Sequence, residues 1–153
     1  MKEYVVGFAF DHSCKAVLLI HRVKPYSLLG FVGGIGGKIK KGELPIQAMV
    51  REFKEETGVE TDSPDWNYYC LMRGEDFEIC FYYMIGGAHD AASIGDGVHD
   101  AASIGDGVVE WSEVDDLPPN IISNLNWLIP LALNNDFQKG KGVNLFVKAT
   151  YSK

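Results

Sequence analysis

The segment from Gly30 to Gly58 constrains the fold more than any other part of the chain. Its first part, Gly30 to Gly42, is dense in glycine, which lets the backbone turn sharply or approach another group closely. Large apolar side chains are interleaved with these glycines or directly precede them, namely Leu28, Leu29, Phe31, Val32, Ile35 and Ile39. Flexible linkers lack such side chains, so this stretch is predicted to be a structured loop.

A helix is predicted to follow this loop, from about residue 44 to residue 57. Pro45 suits the first turn of a helix, and Gly58 suits a left-handed C-terminal cap. Between them, apolar residues recur with the spacing of one helical face, at Ile46, Met49, Val50 and Phe53. We therefore expect this face to pack against a core.

The rest of the chain is predicted to contain more strands than helices. Alternating or continuous apolar runs predict strands at residues 4–10, 16–20, 68–72, 77–85, 108–111 and 143–147, with a turn at residues 11–13. A second helix is predicted from about Asn120 to Leu133, with Pro130 near its last turn. This order indicates an α+β domain in which helices pack on a mixed sheet.

Length and composition indicate a globular protein. A chain of 153 residues fits a single domain that buries about two thirds of its surface on folding. Its aromatic content of 12% is too high for a disordered chain, and neither a membrane-spanning run nor an N-terminal targeting segment is visible. Cys14, Cys70 and Cys80 lack metal-site spacing and suit reduced core thiols. We expect a soluble, cytoplasmic protein.

The net charge of −7 argues against a nucleic-acid-binding protein, because phosphate affinity comes from clustered Lys and Arg. A polyanionic substrate would then need metal ions to bridge it to the protein. The predicted helix offers candidate ligands. Glu52, Glu55 and Glu56 fall within one turn, where like charges repel unless a cation offsets them. Such a group suits a hard divalent ion such as Mg²⁺ or Mn²⁺, although a solvated acidic patch has the same pattern.

One segment is an internal duplication. Residues 89–98 and 99–108 have the same ten-letter sequence, HDAASIGDGV. A solenoid would show weak similarity over several longer repeats, whereas this is a single perfect copy. A recent or engineered tandem duplication explains it, since doubling a loop costs only about 0.6 kcal/mol in closure entropy.

The whole stretch from Gly37 to Val59, GKIKKGELPIQAMVREFKEETGV, follows one fixed pattern. Gly37 is followed after five residues by Glu43 and after seven more by the Arg51-Glu52 pair, and the Glu55-Glu56 pair, Gly58 and an aliphatic residue complete the pattern. This pattern resembles the Nudix box. Weaker similarities outside the box, at Gly36-Gly37-Lys38, Glu110-Trp111 and residues 126–130, resemble the MutT-like branch of that family.

The resemblance implies a fold and a set of site residues. The fold would be an α/β/α sandwich with a mixed sheet and two main helices. Glu52, Glu55 and Glu56, with the Gly37 carbonyl, would bind Mg²⁺ or Mn²⁺, and Arg51 would orient a glutamate. Glu43 would be a structural partner of Arg51 or an outer-shell group.

The implied reaction is attack by a metal-activated water on a diphosphate, with a carboxylate accepting the proton. That carboxylate would come from Glu55 or Glu56 on the helix, or from Asp106 in a later loop. Asp96, the duplicate of Asp106, competes for that assignment. Both are equally well explained as solvated turn residues.

The resemblance also implies a nucleotide substrate, with triphosphates cleaved to monophosphate and pyrophosphate. Lys38, Asn120 and Asn124 would contact it, although either Asn also suits a helix cap. Gly33 stands where the oxidised-purine branch carries Asn nearby, which argues against an 8-oxo-purine substrate. ADP-ribose, dinucleoside polyphosphates and nucleotide sugars are alternatives, as is a nucleotide-sensing module without turnover. No membrane or stable nucleic-acid partner is expected, and the chain is expected to be a monomer or homodimer.

Overall fold

The computed structural model of the protein describes residues 1–23, 30–86 and 107–152. Within these ranges there are two α-helices and eight strands. The helices are α1 (Pro45–Thr57) and α2 (Leu125–Gly140). The strands are β1 (Lys2–Phe10), β2 (Ala16–Arg22), β3 (Val32–Gly33), β4 (Ile35–Lys38), β5 (Asn67–Arg73), β6 (Phe77–Ile85), β7 (Gly107–Glu113) and β8 (Val147–Thr150).

The strands form one mixed sheet with β1 near its centre. β1 pairs in parallel with β6 along its whole length, from Lys2 opposite Phe77 to Phe10 opposite Ile85. On its other edge β1 pairs antiparallel with β4, while its contact with β2 is confined to Phe10 opposite Val17. β2 in turn carries β3 and β7, and β5 links β6 to β8. The mixed sheet predicted from the sequence is confirmed.

The two helices pack on opposite faces of this sheet. Side chains alternate between faces along a strand, so Val5 and Ala9 of β1 face α1, whereas Phe8 and Phe10 face α2. Met49 and Phe53 of α1 are completely buried. On the other face α2 contributes Leu125, Leu128, Ile129 and Ala132. Helix, sheet and helix therefore form the three layers of the expected sandwich.

The glycine-rich stretch differs from its prediction, because it forms β3 and β4 rather than a loop. The reason is the closeness of β4 to β1. A Cβ atom added to Gly36 would lie 1.9 Å from the carbonyl oxygen of Val5, a distance that no side chain tolerates. The glycines therefore allow backbone to pack directly on backbone.

The second helix lies further along the chain than predicted. The residues before it form turns and an isolated bridge to Val32, which donates to the Asn120 carbonyl and accepts from the Ile122 backbone N–H. The helix then continues past Pro130, whose exposed position costs it one hydrogen bond on the solvent side. Its extra length displaces the last strand from the predicted residues 143–147 to β8.

The cysteines differ in environment, contrary to the expectation that all three are core residues. Cys70 is buried, whereas Cys80 is only partly buried and Cys14 lies in the β1–β2 turn with a φ of 59°. Burial raises the pKa of the Cys70 thiol to about 11. The turn itself is as predicted: the Asp11 carboxylate accepts from the backbone N–H groups of Lys15 and Ala16.

Candidate active site

Helix α1 begins and ends as the sequence predicts. Pro45 is its first residue, and the backbone N–H of Leu44, just before it, donates to the Gln47 side chain at 2.8 Å. Gly58 follows the last residue with a φ of 77° and donates to the Lys54 carbonyl at 2.8 Å. Between these ends the apolar stripe of the helix faces the sheet, and Glu52 lies beside β4.

Arg51 links the carboxylates around this helix. Its Nε and Nη2 donate to the two oxygens of Glu43, at 2.7 and 2.9 Å, a bidentate pair. Its Nη1 donates to Glu52 at 2.8 Å and to Glu55 at 3.2 and 3.3 Å. The hydrogen bonds from Arg51 lower the pKa of Glu43 to about 2. The guanidinium therefore offsets the repulsion among the acidic side chains.

The three helix glutamates differ in exposure. Glu56 is 3% exposed and Glu52 is 8% exposed, whereas about half of the Glu55 side chain is open to solvent. Glu52 lies against β4, because a Cβ atom on Gly37 would come within 2.5 Å of its Oε1. Only glycine at position 37 leaves room for this carboxylate next to the strand.

These residues suit a hard divalent cation by their chemistry. Carboxylate oxygens and a backbone carbonyl are the donors that Mg²⁺ and Mn²⁺ favour, and the space beside Gly37 holds one of them in place. Among the residues that the structure describes, no three His, Cys, Asp or Glu side chains are arranged closely enough to hold a metal ion together. Glu52 and Glu55 instead share the Arg51 guanidinium.

A cavity of about 450 Å³ opens on the other side of β4. Its floor is formed by cross-strand rows of β4, β1 and β6: Lys38, Tyr4 and Ile79, then Gly36, Val6 and Phe81. Ile122, Asn124 and Leu125, at the start of α2, form a wall. The cavity is largely apolar and therefore suits a flat organic group better than a chain of phosphates.

Two polar atoms without a partner in the described structure belong to side chains that line this cavity. Asn124 Oδ1 and Arg22 Nε are buried and make no hydrogen bond, while Arg22 Nη2 donates to the Gly34 carbonyl at 3.1 Å. A buried polar group without a partner costs free energy, so a ligand that reached these atoms would meet one unused acceptor and one unused donor. Arg22 is not among the site residues predicted from the sequence, because its position at the end of β2 carries no motif.

The other predicted substrate residues divide between the cavity and its surroundings. Lys38 lines the cavity, as does Asn124, which precedes α2 without capping it through its side chain. Asn120 does not line it, and its amide donates to the Gly30 carbonyl at 2.6 Å. Asp96 and Asp106 lie outside the described residues, as does nearly all of the duplicated segment.

Comparison with known proteins now identifies the family. The model of the NUDIX domain matches residues 2–128 of the chain. The chain belongs to the NUDIX domain family. The predicted Nudix hydrolase is thereby confirmed at the level of the family, whose members generally use divalent metal ions. The comparison with curated proteins gives no match.

Solved structures with the same fold include MutT proteins and the NUDIX domain of NrtR. A MutT protein from Bacillus halodurans aligns with a TM-score of 0.65 at 16% identity, covering 99% of this chain and 91% of that one. The NUDIX domain of NrtR from Shewanella oneidensis, in complex with ADP ribose, aligns with a TM-score of 0.62 at 22% identity, covering 86% of each chain.

A MutT/nudix family protein from Enterococcus faecalis aligns with a TM-score of 0.50 at 21% identity. The match covers 55% of this chain and only 36% of that longer one. At these identities, the structural alignments show a shared fold.

In the described parts of the chain, no helix has the length and apolar character needed to cross a membrane.

Proposed function

We propose that the protein is a metal-dependent nucleotide pyrophosphohydrolase that converts a nucleoside or deoxynucleoside triphosphate into the monophosphate and pyrophosphate. The observation that supports this best is the position of β4 between two complementary features. Gly36, Gly37 and Lys38 line the apolar cavity, and Gly37 also makes room for the carboxylate of Glu52. A nucleotide whose base enters the cavity would bring its phosphates past Lys38 toward α1.

In this proposal the cavity binds the nucleobase. The apolar floor and the Phe81 ring suit the faces of a base, and the available Asn124 Oδ1 and Arg22 Nε suit one donor and one acceptor on its edge. An acceptor and a donor occur on every base edge, so the pair favours a base without selecting one. Asn120, which the Gly30 carbonyl engages, is at most an indirect contributor.

The carboxylates of α1 supply the chemistry. Glu52, Glu55 and Glu56, with the Gly37 carbonyl, would hold Mg²⁺ or Mn²⁺, which when bound neutralises phosphoryl charge and acidifies a water molecule. Arg51, anchored on Glu43, keeps Glu52 in place. Glu55, Glu56 or Asp106 accepts the proton of the attacking water, whose oxygen bonds to phosphorus as the bridging oxygen leaves with pyrophosphate.

A second candidate uses the same site for ADP-ribose. The supporting observation is that the NrtR domain, which shares this fold, was solved with ADP ribose bound. Dinucleoside polyphosphates and nucleotide sugars share the same diphosphate. A sensing module without turnover is less favoured, because every fixed position of the box is present in this chain.

A panel of nucleotides tests these candidates. The protein is incubated with Mg²⁺ and each of the four deoxynucleoside triphosphates, their ribonucleotide counterparts, ADP-ribose and a dinucleoside polyphosphate, and the products are separated. Pyrophosphate and monophosphate from a triphosphate support the proposal. Release of inorganic phosphate alone contradicts it, and preferential cleavage of ADP-ribose supports the second candidate.

A further inference from the structure

We propose that Lys40 and Lys41 bind the phosphates of the leaving group, and that they make the site prefer substrates with three or more phosphates over those with two. This inference rests on the proposed function and extends it to the length of the phosphate chain. It concerns residues between β4 and α1, which form what we call the lysine turn, Lys40 to Glu43.

The lysine turn is an exception in an acidic protein. The chain carries a net charge of −7, yet Lys38, Lys40 and Lys41 fall within four residues and are all exposed. Elsewhere in the described residues Lys54 is paired with Glu60 and Arg73 with Glu78, while dispersed lysines such as Lys15 and Lys148 have no ion pair. No ion pair of Lys38, Lys40 or Lys41 is found in these parts of the chain. Lys40 interacts electrostatically with Glu43, and the remaining positive charge of this cluster is available to a polyanion.

The backbone of the turn is held by hydrogen bonds, so the two lysine side chains extend from a fixed position. Glu43 donates its backbone N–H to the Lys40 carbonyl, and its carboxylate accepts from the Lys40 backbone N–H, both at 3.0 Å. Gly42 provides the required φ of 81°. Arg51 binds the same Glu43 carboxylate and also the Lys38 carbonyl, at 3.0 Å. A preorganised turn avoids the entropy cost of ordering a flexible loop around a ligand.

In the proposed binding mode the lysine turn would lie beyond the point of cleavage. Along β4, Gly36 and Lys38 line the cavity and Gly37 lies against Glu52. Lys40 and Lys41 come next, and the Cα of Lys41 is within about 11 Å of that of Lys38 by chain length alone. A phosphate chain that starts at the cavity and passes α1 would next meet the lysine turn. ADP-ribose carries a second ribose at that point, which offers no charge to lysine.

Hydrolysis by the double variant Lys40→Ala/Lys41→Ala tests the preference. The value of kcat/KM for a nucleoside triphosphate should fall roughly tenfold, mostly through KM, as expected when local charge is removed near a site. For ADP-ribose it should change less than twofold. Lys40→Arg/Lys41→Arg should restore triphosphate cleavage, and Lys15→Ala/Lys148→Ala, which removes two lysines elsewhere, should leave both substrates unaffected. An equal loss for both substrates would overturn the inference.

A binding measurement separates this inference from the proposed function. Inorganic tripolyphosphate and pyrophosphate are titrated into the wild-type and double-variant proteins in the presence of Mg²⁺, and unchanged circular dichroism verifies that both are folded. A selective loss of tripolyphosphate binding in the variant supports the subsite even if no nucleotide is hydrolysed. Unchanged tripolyphosphate binding would refute it, even if the wild-type protein cleaves triphosphates.

Discussion

The two helices lie on opposite faces of one sheet, yet they bury different kinds of side chain. α2 buries four apolar residues and one polar residue, Asn135, which accepts from the Tyr83 hydroxyl at 2.9 Å and donates to the Leu145 carbonyl. α1 buries an apolar stripe of similar character, but also the carboxylates of Glu52 and Glu56. Carboxylates are expensive to bury even when they are paired.

This difference indicates that the two helices have different roles. α2 and its polar contacts are satisfied within the protein, as expected of an element that supports the fold. α1 carries charge at its acidic face, with Glu52 held by Arg51 beside a glycine that makes room for it. We therefore expect substitutions on α1 to separate activity from stability, and those on α2 to affect stability.

The largest expected effect is on turnover by variants of the acidic face. Glu55→Gln or Glu56→Gln should lower kcat by two orders of magnitude or more, in the range known for catalytic carboxylates. The melting temperature without metal should be equal or higher, because a charge is removed from a crowded or buried position. Steady-state kinetics and thermal unfolding measure both. Glu60→Gln, on an exposed glutamate outside the acidic face, is the control. Near-normal activity would remove the substituted residue from the site.

The apolar stripe of α1 tests the other half of the comparison. Phe53 is fully buried and contacts Trp66 edge to face, with ring centroids 5.2 Å apart. Phe53→Ala should lower the free energy of unfolding by about 3–5 kcal/mol. Leu128→Ala on α2, the matched substitution, should cost about 2–5 kcal/mol, and chemical denaturation compares the two. A cost below about 1 kcal/mol for Phe53 would mean that the stripe does not anchor α1.

As the pH falls, the stability contributed by the Glu43–Arg51 pair at α1 should be lost before any contribution from α2. The folded-state pKa of Glu43 is about 2, below the ordinary value of 4.5, because Arg51 donates to the ionised form. A lowered pKa stabilises the folded state above 4.5, and this contribution is lost as the pH falls from about 4.5 to about 2. The fall in unfolding free energy over that range should be smaller in Glu43→Gln than in wild type, as urea titrations at several pH values would show. Identical pH profiles would contradict the pairing.

The sequence predicted α1 to within one residue but misplaced α2, and the reason is local. Pro45 and Gly58 mark the ends of α1, whereas no capping side chain marks the start of α2 and Pro130 lies inside it. The start of α2 is instead set by the pairing of residues 120–122 with Val32, a tertiary contact across the chain.

The candidate site was predictable to the extent that it lies within the box. Arg51 joins Glu43 and Glu52 as the family resemblance implies, because these positions are fixed by spacing along one helix and its entry. The cavity was not predictable, since Arg22 and Asn124 meet only after strands and helix are assembled. The density of glycines predicts a loop, whereas in the structure it reflects the contact of β4 with β1.

The smallest expected effect concerns the duplicated segment, which lies between the two helices in the sequence. Deleting residues 89–98 leaves His99 to follow Ala88, so that one copy of the ten-residue sequence remains. Loop shortening should change the free energy of unfolding by no more than about 1 kcal/mol on closure-entropy grounds. Activity should persist as well, because Asp106 keeps its sequence distance of five residues from Trp111.

The deletion also decides where the proton acceptor comes from. If the shortened protein unfolds like the parent but has lost activity, a residue of the first copy, Asp90 or Asp96, contributes to the site. If it stays active, Asp106→Asn in the shortened background separates the remaining cases, now without a duplicate of Asp106 to compensate. Lost turnover with unchanged thermal unfolding would assign Asp106 as metal ligand or base. Unchanged turnover would leave proton transfer to Glu55 or Glu56, and the acidic face of α1 would then account for the chemistry alone.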